Sequence, residues 1–252
     1  MRDFRPAQLS TCTFFDLGTH GSMDGTYALK LATRPRRNHT ATLIKRLTWQ
    51  RRGLVQVEAY FTFKAEQTFG VAPPGGRPWD GNYHPSEAMF GAFDFANDVC
   101  EDAQSARYHC TLRYLNADAD GRLVQTWMTK TSVQPTTKMV RAGGAVDGSD
   151  FQVLHPADWA EIPGGHQPLC TNEVPTKINW HYLRWRFDLA ARRNVELQVH
   201  DRLMDLRAIE VPQYADRYTG LDRLLNFSVH VRTHMDVRNF LLLDSVLISV
   251  DW

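Results

Sequence analysis

The 252-residue chain contains only four cysteines, Cys12, Cys100, Cys110 and Cys170, and no C-x-x-C pair. That is too sparse for a disulfide scaffold and supplies neither a zinc knuckle nor a thioredoxin-type redox site, so four reduced thiols are expected. No stretch approaches the ~20 apolar residues that a bilayer-spanning helix needs, and the segment from Met1 to Phe15 lacks the apolar core of a secretory signal. The expectation is a cytoplasmic protein with no membrane partner. Neither sign of charge dominates: 29 Lys and Arg face 28 Asp and Glu, and a net charge of +1 gives no electrostatic reason to expect nucleic acid. No window of a dozen residues carries a helical apolar stripe, although 214–224 suits a short turn of helix. No internal repeat is found, no motif names a cofactor, and no set of residues has metal-ligand spacing.

What the chain does contain is alternation with period two. From Leu54 the run L-V-Q-V-E-A-Y-F-T-F-K puts Val55, Val57, Ala59, Phe61 and Phe63 on one face and Gln56, Glu58, Tyr60, Thr62 and Lys64 on the other. The same pattern returns in Tyr108, Cys110, Leu112 and Tyr114, and in Leu183, Trp185 and Phe187. Further strands are expected at 27–33, 41–48, 88–96, 122–130, 194–200, 202–207, 224–233 and 240–251, about eleven in all, at the spacing of a β-sandwich. Turn signals separate them, among them Asp24-Gly25, Asp120-Gly121 and His200-Asp201. Two Pro- and Gly-rich segments, 65–87 and 141–177, break the rhythm and are expected to be long loops. The chain reads as one domain over 1–252, with Val55, Val57, Phe61, Leu112, Trp185, Phe187, Leu197, Phe227, Val229, Val246 and Ile248 in its core.

Two segments carry a family likeness. N-W-H-Y-L-R-W-R-F-D-L-A-A-R-R-N-V-E-L-Q-V-H-D-R-L-M-D-L (179–206) resembles the central hairpin of laminin G-like and concanavalin A-like jelly rolls, and N-F-L-L-L-D-S-V-L-I-S-V-D-W (239–252) resembles the closing strand of that superfamily. The resemblance implies an all-β jelly-roll sandwich of two antiparallel sheets and a carbohydrate ligand. The chain looks like a bacterial branch of that superfamily rather than a named enzyme. The clustered E-x-D-x-x-E of family 16-like glucanases is missing, and of the three strand motifs of jelly-roll alginate lyases only Gln198-Val199-His200 has a counterpart.

The candidate site lies on the polar sides of the strands. Arg107, His109, Thr111 and Arg113 line up cation, imidazole, hydroxyl and cation about 6–7 Å apart, an arrangement that suits an anionic sugar. Glu58 and Tyr60, with Gln125 and Trp127, are expected on neighbouring strands of the same sheet, with Trp127 exposed as a stacking platform. His109, Tyr60 and Glu58 are the expected acid/base groups; Arg107, Arg113, Gln125, Trp127, His230 and Arg232 are the expected ligand-binding groups. Asn226, Ser228, His230, Arg232 and His234 make a second polar row, and His181 reads as a satisfied core or rim histidine. Three function classes follow: a cytoplasmic glycoside hydrolase or lyase acting on a small or modified sugar, a lectin-like binding protein, and a partner-binding β-sandwich module. A homo-oligomer is compatible with each.

Overall fold

A computed structural model describes residues 5–6, 22–25, 28–66, 87–101, 106–131, 141–142, 145–146, 158–172, 179–215 and 223–251. Among these, the chain forms sixteen strands and no α-helix. One sheet has eight strands. Along its path lie β1 (Arg5–Pro6), β3 (Thr40–Thr48), β15 (Leu224–Arg232), β5 (Ala92–Glu101), β6 (Ala106–Ala117), β7 (Leu123–Lys130) and β10 (Trp159–His166), and β14 (Gln213–Ala215) pairs with β6. The second sheet has six strands, in the order β13 (Arg202–Asp205), β12 (Arg193–Val199), β11 (His181–Asp188), β4 (Leu54–Ala65), β16 (Asn239–Val250), β2 (Leu29–Ala32). A separate pair joins β8 (Arg141–Ala142) to β9 (Ala145–Val146). The chain crosses between the two large sheets repeatedly, from β4 to β5, from β10 to β11 and from β15 to β16, and all pairings are antiparallel. This is a jelly-roll β-sandwich, with the two inner faces supplying one core.

The alternation seen in the sequence builds that core. Phe61 and Phe63 of β4 meet Phe93 of β5 at ring-centroid distances of 5.0 and 5.4 Å, and Tyr114 of β6 packs on Trp127 of β7 at 5.2 Å. Trp185 of β11 is fully buried, and its indole N–H donates to Asn194 Oδ1 at 2.9 Å, which satisfies the one polar atom that the ring carries inward. Nine of the eleven expected core residues are buried, and Val246 and Ile248 are partly buried against the same cluster. Val246 follows Ser245, which has φ 45°, at a register shift between Asp244 and Leu247, and the extra residue disturbs the alternation there.

Several boundaries differ from expectation. The strand expected at 88–96 runs from Ala92 to Glu101, because Glu87 to Met89 form a turn ahead of it. Segment 141–177 is not one loop: it holds β8, β9 and the eight-residue β10, whose Pro163-Gly164-Gly165 falls at a register shift between Glu161 and His166. A Cβ at Gly165 would lie 2.6 Å from the Trp127 carbonyl oxygen, so only glycine lets β10 approach β7 so closely. Gln213–Ala215 pairs with β6 as a strand, which removes the start of the helical turn expected at 214–224. The loop expected at 65–87 falls mostly on residues 67–86, outside the described ones.

Candidate functional site

The polar sides of β6, β5 and β15 form one face, directed away from the core. On β5, Phe93 and Phe95 point inward, so Asp94 and Asp98 point outward. Asp94 is opposite Arg113 of β6 and His230 of β15; Asp98 is opposite His109 and Asn226. The two polar rows read from the sequence are therefore parts of a single surface, separated only by the strand that supplies its acids.

Asp94 is the centre of that surface. Arg113 grips it with two parallel hydrogen bonds, Nε to Oδ1 at 2.7 Å and Nη2 to Oδ2 at 2.8 Å, and Arg232 Nε donates to Oδ2 at 3.0 Å. All three side chains are buried. Burial by itself would raise the Asp94 carboxyl, but the adjacent Arg113 and Arg232 charges overcome it and hold the group well below the usual carboxylate range. Burial lowers the Arg113 guanidinium to about 10, and Asp94 limits the fall, so the pair stays ionised at neutral pH. His230 is pushed down to about 3 by burial and then by the Arg232 charge, and is a neutral ring with Thr42 Oγ1 at 2.8 Å from Nδ1 and Ser228 Oγ at 3.0 Å from Nε2. Trp159 of β10 lies against Arg113, with its ring centroid 3.7 Å from the guanidinium carbon. Lys130 of β7 is paired in register with Trp159. Its ammonium is lowered by burial and then by the Arg232 charge, against the attraction of Asp94 and Asp158.

A second, more accessible group surrounds Asp98. Arg107 donates to both of its oxygens, with Nε to Oδ1 at 2.5 Å; Asn226 Nδ2 reaches Oδ2 at 3.4 Å, and His109 Nε2 lies 3.8 Å from Oδ1. Burial raises Asp98, and the Arg107 hydrogen bonds and the His109 charge lower it further than that, leaving it below the usual range. The Arg107 and His109 side chains each keep 20% of their surface exposed, which makes them the part of this face a ligand can touch directly.

The family model described as Domain of unknown function (DUF6772) matches residues 1–252. The chain belongs to this family. Nothing among the curated proteins matches the sequence. Among solved structures, the DUF6772 chain is similar to a legume lectin-like domain from Entamoeba histolytica, with 7% identity and a TM-score of 0.46 over 100% of this chain and 91% of that one. It is also similar to the cellulose induced protein Cip1, with 9% identity and a TM-score of 0.43 over 98% and 89% of the two chains. For the alginate lyase AlyC3 the values are 9% and 0.39, over 89% and 74%.

Five of the nine expected site residues, Arg107, His109, Arg113, His230 and Arg232, meet on this face of the DUF6772 sandwich. The other four do not. Glu58 and Tyr60 belong to β4 in the six-stranded sheet and face outward on the opposite side of the molecule, so the whole core separates them from His109. Glu58 there accepts from Tyr182 Oη at 2.8 Å and from Gln56 Nε2 at 2.6 Å, and Tyr60 packs on Tyr182 with ring centroids 5.5 Å apart. Trp127 is fully buried against Tyr114 and Phe93 and is no stacking platform. The cause is Gln125, whose φ of 51° breaks the alternation two residues earlier and turns Trp127 inward. Gln125 itself donates to Glu87 Oε1 at 3.0 Å. His181 is satisfied as expected: Nε2 donates to the Cys170 carbonyl at 2.8 Å, Nδ1 lies 2.8 Å from His200 Nε2, and burial lowers the ring to about 4. His234 lies past the end of β15, beside Gly91. Among the described residues no three His, Cys, Asp or Glu side chains gather as a metal site would require.

Sequence reasoning missed Asp94, Asp98, Lys130 and Trp159. The first two were readable, because the F-D-F-A-N-D run places both acids opposite Phe93 and Phe95. Trp159 lies within 141–177, where the prolines and glycines mask the strand that carries it.

Proposed function

We propose that this is a carbohydrate-binding protein whose ligand lies on the outer face of the eight-stranded sheet. The observation that carries this is the fixed polar array around Asp94 and Asp98: the buried Asp94 holds Arg113 and Arg232 and the partly buried Asp98 holds Arg107 in set positions, with His109 partly exposed and Trp159 alongside. Donors held in place before the ligand arrives lose little entropy when it binds. Carbohydrate as the ligand class comes from the resemblance of 179–206 and 239–252 to the concanavalin A-like superfamily. Binding is favoured over glycoside hydrolysis because Asp94 and Asp98 are both held ionised by arginines, and a hydrolase needs one carboxyl that keeps its proton. A reducing compartment such as the cytoplasm is part of the proposal, and the free thiols of Cys100, Cys110 and Cys170 suit it.

A second reading, a lyase with His109 as base, has one observation in its favour: the imidazole lies 3.8 Å from Asp98, within reach of an orienting carboxylate. Calorimetry against a panel of neutral and acidic oligosaccharides, with product analysis of each mixture, separates the two. The binding protein returns every sugar intact, and Arg107→Ala weakens its affinity about tenfold, as loss of a charge-assisted hydrogen bond does. Cleavage that disappears in His109→Ala establishes the lyase instead. No binding to any sugar overturns the carbohydrate reading.

A further inference from the structure

We propose that the bound sugar is acidic and that its negative charge docks at Lys130, beside the buried Arg113 and the Trp159 ring against it. This rests on the carbohydrate reading above and adds the ligand's charge and its point of attachment.

Lys130 carries the argument. Its side chain is half-buried, near two arginines and two acids, yet among the described residues it makes no hydrogen bond and no ion pair. An ammonium ion is strongly hydrated, and removing that water without providing a partner is costly. The cost is tolerable where solvent or a ligand still reaches the charge, and the Lys130 nitrogen is not among the polar atoms sealed inside without a partner. Arg113 beside it is committed to Asp94 through Nε and Nη2 and is itself buried, so Lys130 is the cation of this cluster that a ligand can reach. Trp159, which holds the Arg113 guanidinium on its ring, is the register partner of Lys130, so the aromatic ring lies next to both cations.

A uronic acid carboxylate or a sulfate ester presents only acceptor oxygens, and the Lys130 ammonium is a pure donor, as recognition of an oxyanion requires.

The test uses the full chain and three probes in calorimetry: an oligogalacturonate, its carboxyl-reduced neutral counterpart, and a singly sulfated neutral oligosaccharide. The wild type should prefer an acidic probe over the neutral one by about tenfold. Lys130→Gln should bind acidic and neutral probes alike, and Lys130→Arg should restore the preference because it returns the charge; circular dichroism confirms that both variants are folded. Whether the carboxylate or the sulfate probe binds tighter identifies the anion. Equal affinity of the wild type for acidic and neutral probes overturns this inference and leaves the carbohydrate reading in place. Failure of all three probes to bind removes both.

Discussion

Two guanidiniums share one carboxylate at Asp94, out of contact with bulk water, and that sharing makes the residue a structural requirement of the face as well as its electrostatic centre. Asp94→Asn should cost about 3–5 kcal/mol in urea unfolding, since it leaves buried guanidinium charge uncompensated. Asp98→Asn should cost about 1 kcal/mol or less, because its partner Arg107 remains in contact with water. Equal losses for the two would mean that Asp94 is no better shielded than Asp98. At this scale the sequence was informative about residue type and face. Polar alternation alone puts Arg107, His109, Arg113, His230 and Arg232 on the outward sides of their strands. Glu58 and Tyr60 were misplaced because alternation says which side of a strand a residue occupies and is silent on which sheet the strand joins. That assignment depends on pairings between residues far apart in the chain, such as Glu58 with Arg184.

Strands with undisturbed alternation were legible in both position and face, whereas the bulge in β7 left its position legible at 122–130 but hid which side chains face inward, and the glycine pair hid β10 altogether. β11 belongs to the first kind: His181, Leu183, Trp185 and Phe187 are all buried, and the residues between them are half-buried. Trp185→Ala should therefore cost about 3–5 kcal/mol, read from the denaturation midpoint, and an unchanged midpoint would place that face outside the core. β7 and β10 belong to the second kind. Gln125 reverses the phase of β7, and Pro163-Gly164-Gly165 makes β10 look like a turn although it closes one side of the site with Trp159. Gly165→Ala should cost about 1–3 kcal/mol, because the added methyl meets the carbonyl oxygens of Trp127 and Ile162 and neither can swing aside. A variant as stable as the wild type would show that β10 can move away from β7 without penalty.

For the molecule as a whole, the polar groups packed into the sandwich set its response to acid. Burial lowers His181 and His234 to about 4 and His230 to about 3, against about 6.5 in an unfolded chain. The unfolded state therefore binds more protons than the folded one below about pH 6.5, and stability should fall as pH drops from there toward 4, by up to about 1.4 kcal/mol per pH unit for each histidine. The depressed Asp94 adds a second loss below about pH 4, where the unfolded carboxyl protonates first. Urea midpoints at pH 7.5, 6 and 5 check this, and a midpoint constant across that range would show that the three rings are solvated. The architecture that positions these groups, two antiparallel sheets with one core, was readable from periodicity. The juxtaposition of β6, β5 and β15 that creates the candidate site was not, because β15 reaches β5 from more than a hundred residues away. The most direct test of the central claim is a crystal structure with the oligogalacturonate bound. The account predicts sugar on the outer face of the eight-stranded sheet, within hydrogen-bond distance of Lys130 and of Arg107 or His109. Sugar on the opposite side of the sandwich, beside Tyr60 and Tyr182, would contradict it.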